Sequence, residues 1–223
     1  MKRYLLTFGL GLLLGVLLLV GVLVARAFGF DSRQVPAEPA APFSVDTAAA
    51  AERLAGALRI RTVSFSDSAP AAGPEWAEMH AYLARSFPRA HAALRRETLG
   101  GSLLYTWPGA EPPLPPVLLM GHLDVVPVEP GTERAWTRPP FAGVVADGFV
   151  WGRGALDDKL GVLGTLEAVE GLLAEGFRPR RTVLLAFGSD EEVGGRRGAA
   201  RIAALLRARR VRPAWVLDEG GAV

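Results

Sequence analysis

The sequence predicts an α/β fold: a mixed, mainly parallel sheet flanked by helices and preceded by a single N-terminal transmembrane helix. Two observations carry the sheet. Short apolar runs at 103–107, 117–120, 182–187 and 215–217 alternate with stretches whose apolar residues recur at helical spacing. The chain has 223 residues, half of them hydrophobic, which is enough for a sizeable core. A third observation, an uncharged leucine-rich segment near the start, carries the transmembrane helix.

That segment, 5–24, follows the basic start Lys2-Arg3. A helix needs about 20 residues to cross a bilayer, whereas a signal-peptide core usually has about 7–15. Residues 1–27 are therefore expected to be an uncleaved membrane anchor. The alternative is a cleaved signal, because Ala25-Arg26-Ala27 loosely fits an A-x-A site. Basic residues before the span put the N-terminus in the cytoplasm and the remainder outside it, so cleavage would make the remainder secreted. Residues 28–43, rich in proline and alanine without an apolar period, are expected to be a linker, and 44–223 the folded part.

Within the folded part, 44–58 suits a helix, with Val45, Leu54 and Leu58. A second helix is expected over 75–86, where Trp76, Met79 and Leu83 share a face. Asp147-Gly148 between apolar runs signals a hairpin. Leu163, Leu166, Val169 and Leu173 mark a helix, and Ile202, Leu205 and Leu206 mark another whose arginines read as a solvated face.

Composition narrows the chemistry. The formal charge of +2 is dispersed, with no basic block interleaved with aromatics, which argues against nucleic acid as a partner. There is no cysteine, so any metal must be held by histidine and carboxylates. Of the three histidines, His80 lies in a helix and His91 just past Pro88, where packing roles are the rule. His122 differs, because it sits at the end of an apolar run two residues before Asp124. Residues two apart on a strand point to the same side, so Asp124 can orient the His122 ring as a metal ligand.

Acidic groups also follow the other runs: Asp157-Asp158 opens a helix, Glu191-Glu192 follows 182–187, and Asp218-Glu219 follows 215–217. Each pair alone would be a helix cap or a solvated loop. Gathered in one partly buried place, they would be costly without a cation to neutralise them.

The motifs GHLDVVP at 121–127, DGFVWGRGALDDK at 147–159, SDEEVGG at 189–195 and LDEGG at 217–221 resemble, in order and spacing, those of the di-zinc metallopeptidases that include carboxypeptidase S, aminoacylase-1 and glutamate carboxypeptidase. The likeness is strongest to the carboxypeptidase S branch and its secreted N-acyl-amino-acid hydrolase relatives, and it covers 44–223. The resemblance implies a zinc-peptidase catalytic domain with two zinc ions. His122 would bind one ion, Asp157 would bridge both, Glu192 would bind the other, and Asp218 would complete the His122 site, with Glu219 as the adjacent alternative. Asp124 would orient His122, and Glu191 would be the general base. The expected substrate is a peptide or an N-acyl amino acid, cleaved at an amide bond next to an amino acid.

The same family pattern calls for a further histidine and a lid domain downstream of the segment matching Asp218. Neither is present in this sequence, so the chain is expected to be the N-terminal part of such a domain, with an incomplete second zinc site and little activity by itself. Two alternatives stand beside this expectation: a non-catalytic binding or interaction module that keeps the fold, and a dipeptidase or aminopeptidase on the same metal site.

Overall fold

The computed structural model describes residues 2–30, 44–66, 71 and 73–219, which form two compact units, Met1–Phe43 and Ser44–Val223. The first unit contains helix α1, Lys2–Phe28. Its stretch Thr7–Phe28 is long and apolar enough to cross a membrane by length and composition, a test that a signal sequence also passes. Of the expected linker at 28–43, all but residues 28–30 lie outside the described residues.

In the second unit, α2 spans Thr47–Leu58. It starts later than the apolar pattern suggests because the Asp46 side chain accepts the amide of Ala49 at 3.0 Å and caps the helix there. Helix α3, Pro74–Ser86, has proline in its first turn, where no intrahelical donor is lost. Its expected face of Trp76, Met79 and Leu83 is buried. Next come α4, Pro88–Ala93, and β1, Arg95–Leu99. Neither carries an apolar signature: α4 has six residues, and β1 reads Arg-Arg-Glu-Thr-Leu.

The remaining strands are β2 (Ser102–Trp107), β3 (Val117–His122), β4 (Val144–Ala146), β5 (Phe149–Trp151), β6 (Val183–Gly188) and β7 (Trp215–Leu217). The remaining helices are α5 (Leu160–Ala174) and α6 (Ala199–Ala208). Strands β4 and β5 form the expected hairpin, with Asp147 and Gly148 both at positive φ in the turn.

The main sheet runs β1-β2-β6-β3-β7. It is mixed, as expected, but not mainly parallel. β3 is parallel to β6 and β7, while β1–β2 and β2–β6 are antiparallel. The difference comes from β1, whose charged sequence hides a strand that turns through Gly100-Gly101 into β2.

Alternation along the strands divides the core into two layers. On one face Leu103, Tyr105, Leu185 and Phe187 pack with residues of α2, α3, α4 and α5. On the other, Leu104, Leu118, Leu184 and Ala186 pack with Ile202 and Leu206 of α6. Because β3, β6 and β7 run the same way, the loops that leave them emerge side by side.

Candidate metal centre

His122 closes β3 opposite Gly188, the last residue of β6, and is 1% exposed. Its Nδ1 lies 3.0 Å from the Asp124 carbonyl and 3.3 Å from Asp124 Oδ1. With Nδ1 donating to Asp124, Nε2 is turned to the other side of the ring. Three carboxylates surround it there: Asp157 Oδ1 at 2.9 Å, Glu219 Oε2 at 3.4 Å and Glu191 Oε2 at 3.9 Å.

Asp124 does more than orient the ring. Fully buried, it accepts the amide of Glu191 on Oδ1 at 3.1 Å and that of Glu192 on Oδ2 at 3.2 Å. One carboxylate therefore fixes the loop after β6 to the loop after β3. Burial would raise its pKa, but hydrogen bonds from His122 and Ser64 and the His122 charge hold it below the ordinary value.

The two adjacent aspartates divide their work. Asp157 is exposed and reaches Nε2 of His122. Asp158 is buried and accepts the backbone amides of His122, at 3.2 Å, and Gly161, at 3.1 Å. The peptide bond between the two is cis. Gly121 is required beside them, since a Cβ there would stand 2.6 Å from Asp158 Oδ2. Gly154 opens this segment at φ +79, with a Cβ position 2.3 Å from Val125 Cγ1, so only glycine fits.

Lys159 is wholly buried, and its Nζ donates to the carbonyls of Ala57 at 3.1 Å and Ile60 at 2.8 Å. These contacts tie the aspartate segment to the end of α2. Burial pushes the Lys159 pKa down to about 7. Asp190, also buried, accepts the amides of Arg197 and Gly198 and so braces the loop that carries Glu191 and Glu192.

Electrostatics mark the place where positive charge is wanted. Burial alone would lower the His122 pKa, but the hydrogen bond and charge of Asp124, then Asp157 and Glu219, raise it to about 10. Burial raises the pKa of Glu192, and the neighbouring Asp157 charge raises it further. Glu219 is raised by burial first and then by Asp158, Glu191 and Asp157. Like charges crowded together disfavour ionisation until a cation joins them.

His122, Asp157 and Glu219 offer ligand atoms that all lie within 4.8 Å of one another. Glu219, not Asp218, is therefore the carboxylate that the loop after β7 turns toward the histidine. The Asp218 side chain instead accepts the amide of Glu219 at 3.0 Å. The reason is local: β7 ends at Leu217, so strand alternation does not reach either residue, and the path of the loop decides. Glu192 lies at the flank, accepting the amide of Val126 at 3.3 Å. A cavity of about 290 Å³ opens beside His122, Glu191 and Glu219.

Sequence reasoning did not find the support beneath these groups. Asp158, Lys159 and Asp190 act by burial and backbone contacts, which the acidic and basic letters do not encode. The other histidines are committed elsewhere. His80 Nε2 lies 2.8 Å from the Gly101 carbonyl, and His91 joins the Phe87 carbonyl to the Tyr105 hydroxyl.

Residues 118–222 match the profile of peptidase family M20/M25/M40. These residues are part of a domain of this family. Among its relatives, the human N-fatty-acyl-amino acid synthase/hydrolase is 40% identical over 215 residues, covering 94% of this chain and 42% of the relative. Carboxypeptidase S of Saccharomyces cerevisiae is 40% identical over 190 residues, covering 78% of this chain and 33% of the relative. The chain thus spans about two fifths or less of the length of these curated relatives.

Solved structures show the same fold. Human carnosine dipeptidase 1 aligns with a TM-score of 0.61 at 18% identity, over 82% of this chain and 42% of that one. The M20 family metallo-carboxypeptidase Sso-CP2 from Sulfolobus solfataricus aligns with a TM-score of 0.55 at 17% identity, over 78% of this chain and 38% of that one.

Proposed function

We propose that the chain carries the histidine-bearing part of the active site of a zinc-dependent hydrolase. It would cleave an amide bond next to an amino acid, as a carboxypeptidase or an N-acyl-amino-acid amidohydrolase. The observation that carries this reading is the convergence of His122, Asp157 and Glu219. One imidazole and two carboxylates are a donor set suited to zinc, and a cation at Nε2 would offset the charge of the carboxylates gathered there.

In this reading His122, Asp157 and Glu219 hold one ion, and Asp157 with Glu192 contributes to a second. The raised pKa of Glu192 beside Asp157 supports that pairing. Zinc supplies Lewis acidity toward the scissile carbonyl and toward an attacking water. Glu191, within 3.9 Å of His122 Nε2 and not committed by its side chain to the buried ties, takes a proton from the water and returns it to the leaving amine. Asp124 keeps the ring of His122 in place and, through the amides of Glu191 and Glu192, keeps the base beside it. The names of the relatives support a peptide or an N-acyl amino acid as substrate. Helix α1 is read as a membrane anchor that leaves the hydrolase part outside the cytoplasm.

Metal content and turnover test the reading together, on the chain and on the longest product of its reading frame. Zinc should bind, with Glu219→Gln weakening it at least tenfold and Asp218→Asn leaving it within about threefold. In whichever preparation hydrolyses N-acyl amino acids or dipeptides, Glu191→Gln should lower turnover by about 10²–10⁴-fold with zinc retained. Full turnover in Glu191→Gln would remove it as the base, and a chain that binds no zinc would end the reading.

A further inference from the structure

We propose that the arginine-bearing end of α6 docks on the headgroups of an anionic phospholipid bilayer, an assignment that rests on reading α1 as a membrane anchor. Between Glu192 and Asp218 the chain has seven arginines and no acidic residue, so the net charge of +2 conceals a strongly basic stretch. The structure gathers part of it into one surface. Arg207, Arg210 and Arg212 are exposed and border a groove of about 660 Å³ whose floor includes Leu118, Leu206, Val211 and Val216. No carboxylate lines that groove, and these arginines have no ion pair among the described residues. Glu97, close by, is already shared between Arg209 and, at 3.5 Å, Arg95.

Arg210 stands where the backbone favours another residue. It follows Arg209, the C-cap of α6, at φ 57. Its amide donates to the Arg207 carbonyl at 2.9 Å, and the Val211 amide donates to the Leu206 carbonyl at 2.9 Å. Glycine usually closes a helix ending of this kind, because any side chain at positive φ crowds the following carbonyl. The turn alone therefore gives no reason for a guanidinium there.

The patch lies at the end of the sheet opposite the candidate metal centre. An adjoining groove shares Arg210, Val211 and Arg212 with the first and is also lined by Pro116 and Thr182. Pro116, Thr182 and Val211 precede β3, β6 and β7, whereas His122 closes β3 and Glu191 and Glu219 follow β6 and β7. Docking at the strand starts leaves the metal centre facing the medium. A bilayer that holds α1 is within reach, since the segment 29–46 between α1 and α2 spans at most about 60 Å however it runs. An arginine rim over an apolar floor matches a lipid surface in two ways. Guanidinium forks pair with phosphates, each near-surface arginine adding about fivefold to binding, the equivalent of ~1 kcal/mol. The floor receives the apolar carbons just below the headgroups.

Hydrogen exchange at amides 203–214 tests the docking, with the full chain in nanodiscs of phosphatidylcholine alone or mixed with phosphatidylglycerol. Exchange should slow in the anionic discs only, and salt at about 1 M, where the Debye length falls to about 3 Å, should reverse the effect. Arg207→Gln and Arg212→Gln should each remove up to about fivefold of that protection. Arg210→Gly should do the same while leaving unfolding stability unchanged or raised, because glycine suits the turn. Equal exchange in both kinds of disc, or protection unchanged in every variant, overturns the proposal. Protection by added polyglutamate in neutral discs, with none from anionic discs, also overturns it and assigns the face to an acidic protein. Anchoring by α1 is read separately, from retention of the chain in discs at alkaline pH. A chain that is not retained ends the anchor reading. The same variants are then compared by flotation with vesicles of the two compositions, where no preference for the anionic ones overturns the docking as well.

Discussion

Strands β3 and β7 are parallel neighbours, and both lead into the candidate metal centre, yet they hold their candidate site residues in opposite ways. β3 is paired on both sides, and its last residue, His122, is 1% exposed, with ring and backbone amide both bonded to buried aspartates. β7 pairs only with β3 among the described residues, over three residues, and Trp215, Val216 and Leu217 are 52%, 52% and 61% exposed. The strand that leads to Glu219 is thus a thin apolar edge among the described residues, whereas β1 at the other edge is charged, with Glu97 paired to Arg209. Charges blunt an edge against further pairing, and an exposed apolar edge has no such protection. The contrast teaches that one candidate ligand, His122, is fixed by the core, while the other, Glu219, follows a strand with little burial of its own.

The largest test of this contrast is Asp124→Ala. Its carboxylate is fully buried and joins His122 to the Glu191 and Glu192 amides, so its loss should cost about 3–5 kcal/mol in denaturant unfolding. A loss below 1 kcal/mol would mean that the β3 side is not rigidly held.

Next, paired truncations compare the strands directly. Leu118 of β3 is 7% exposed and registers against Val216 of β7. Leu118→Ala should cost about 2–5 kcal/mol, whereas Val216→Thr should stay within about 0.5 kcal/mol. Equal costs in the same unfolding assay would erase the contrast.

The smallest expected effect lies away from the centre and serves as a control. Burial holds the His91 pKa below 6.5, with the Arg96 charge adding to it against the opposing Phe87 hydrogen bond and Glu170 charge. The unfolded chain therefore takes up a proton before the folded one does. The stability this group contributes is complete above pH 6.5 and is lost as pH falls below that value toward the folded pKa. His91→Gln should make unfolding less sensitive to pH between about 7.5 and 5. An unchanged slope would assign acid sensitivity to other groups, His80 among them, whose pKa burial also lowers.

Much of the fold and site could be read from letters, for a physical reason. Apolar runs and helical spacing are local, so four of the strands, the helices α5 and α6 that follow the aspartate and glutamate motifs, and the hairpin at Asp147-Gly148 all announce themselves. His122 with Asp124 was legible because a two-residue spacing on a strand fixes their relative direction, and the structure brings them together as expected. β1 was not legible, because an edge strand needs no apolar face, and its absence from the pattern made the sheet look more parallel than it is.

What the sequence by itself determined is the inventory: one suitable histidine, several acidic pairs at strand ends, and an order of motifs that fixes the family. What only the tertiary structure decided is which member of each pair faces inward. Asp157 meets the histidine ring while Asp158 holds its backbone, and Glu219 rather than Asp218 turns toward Nε2. Adjacent residues share composition and motif, so nothing local separates them. Only the course of the backbone and the burial of one partner assign their roles.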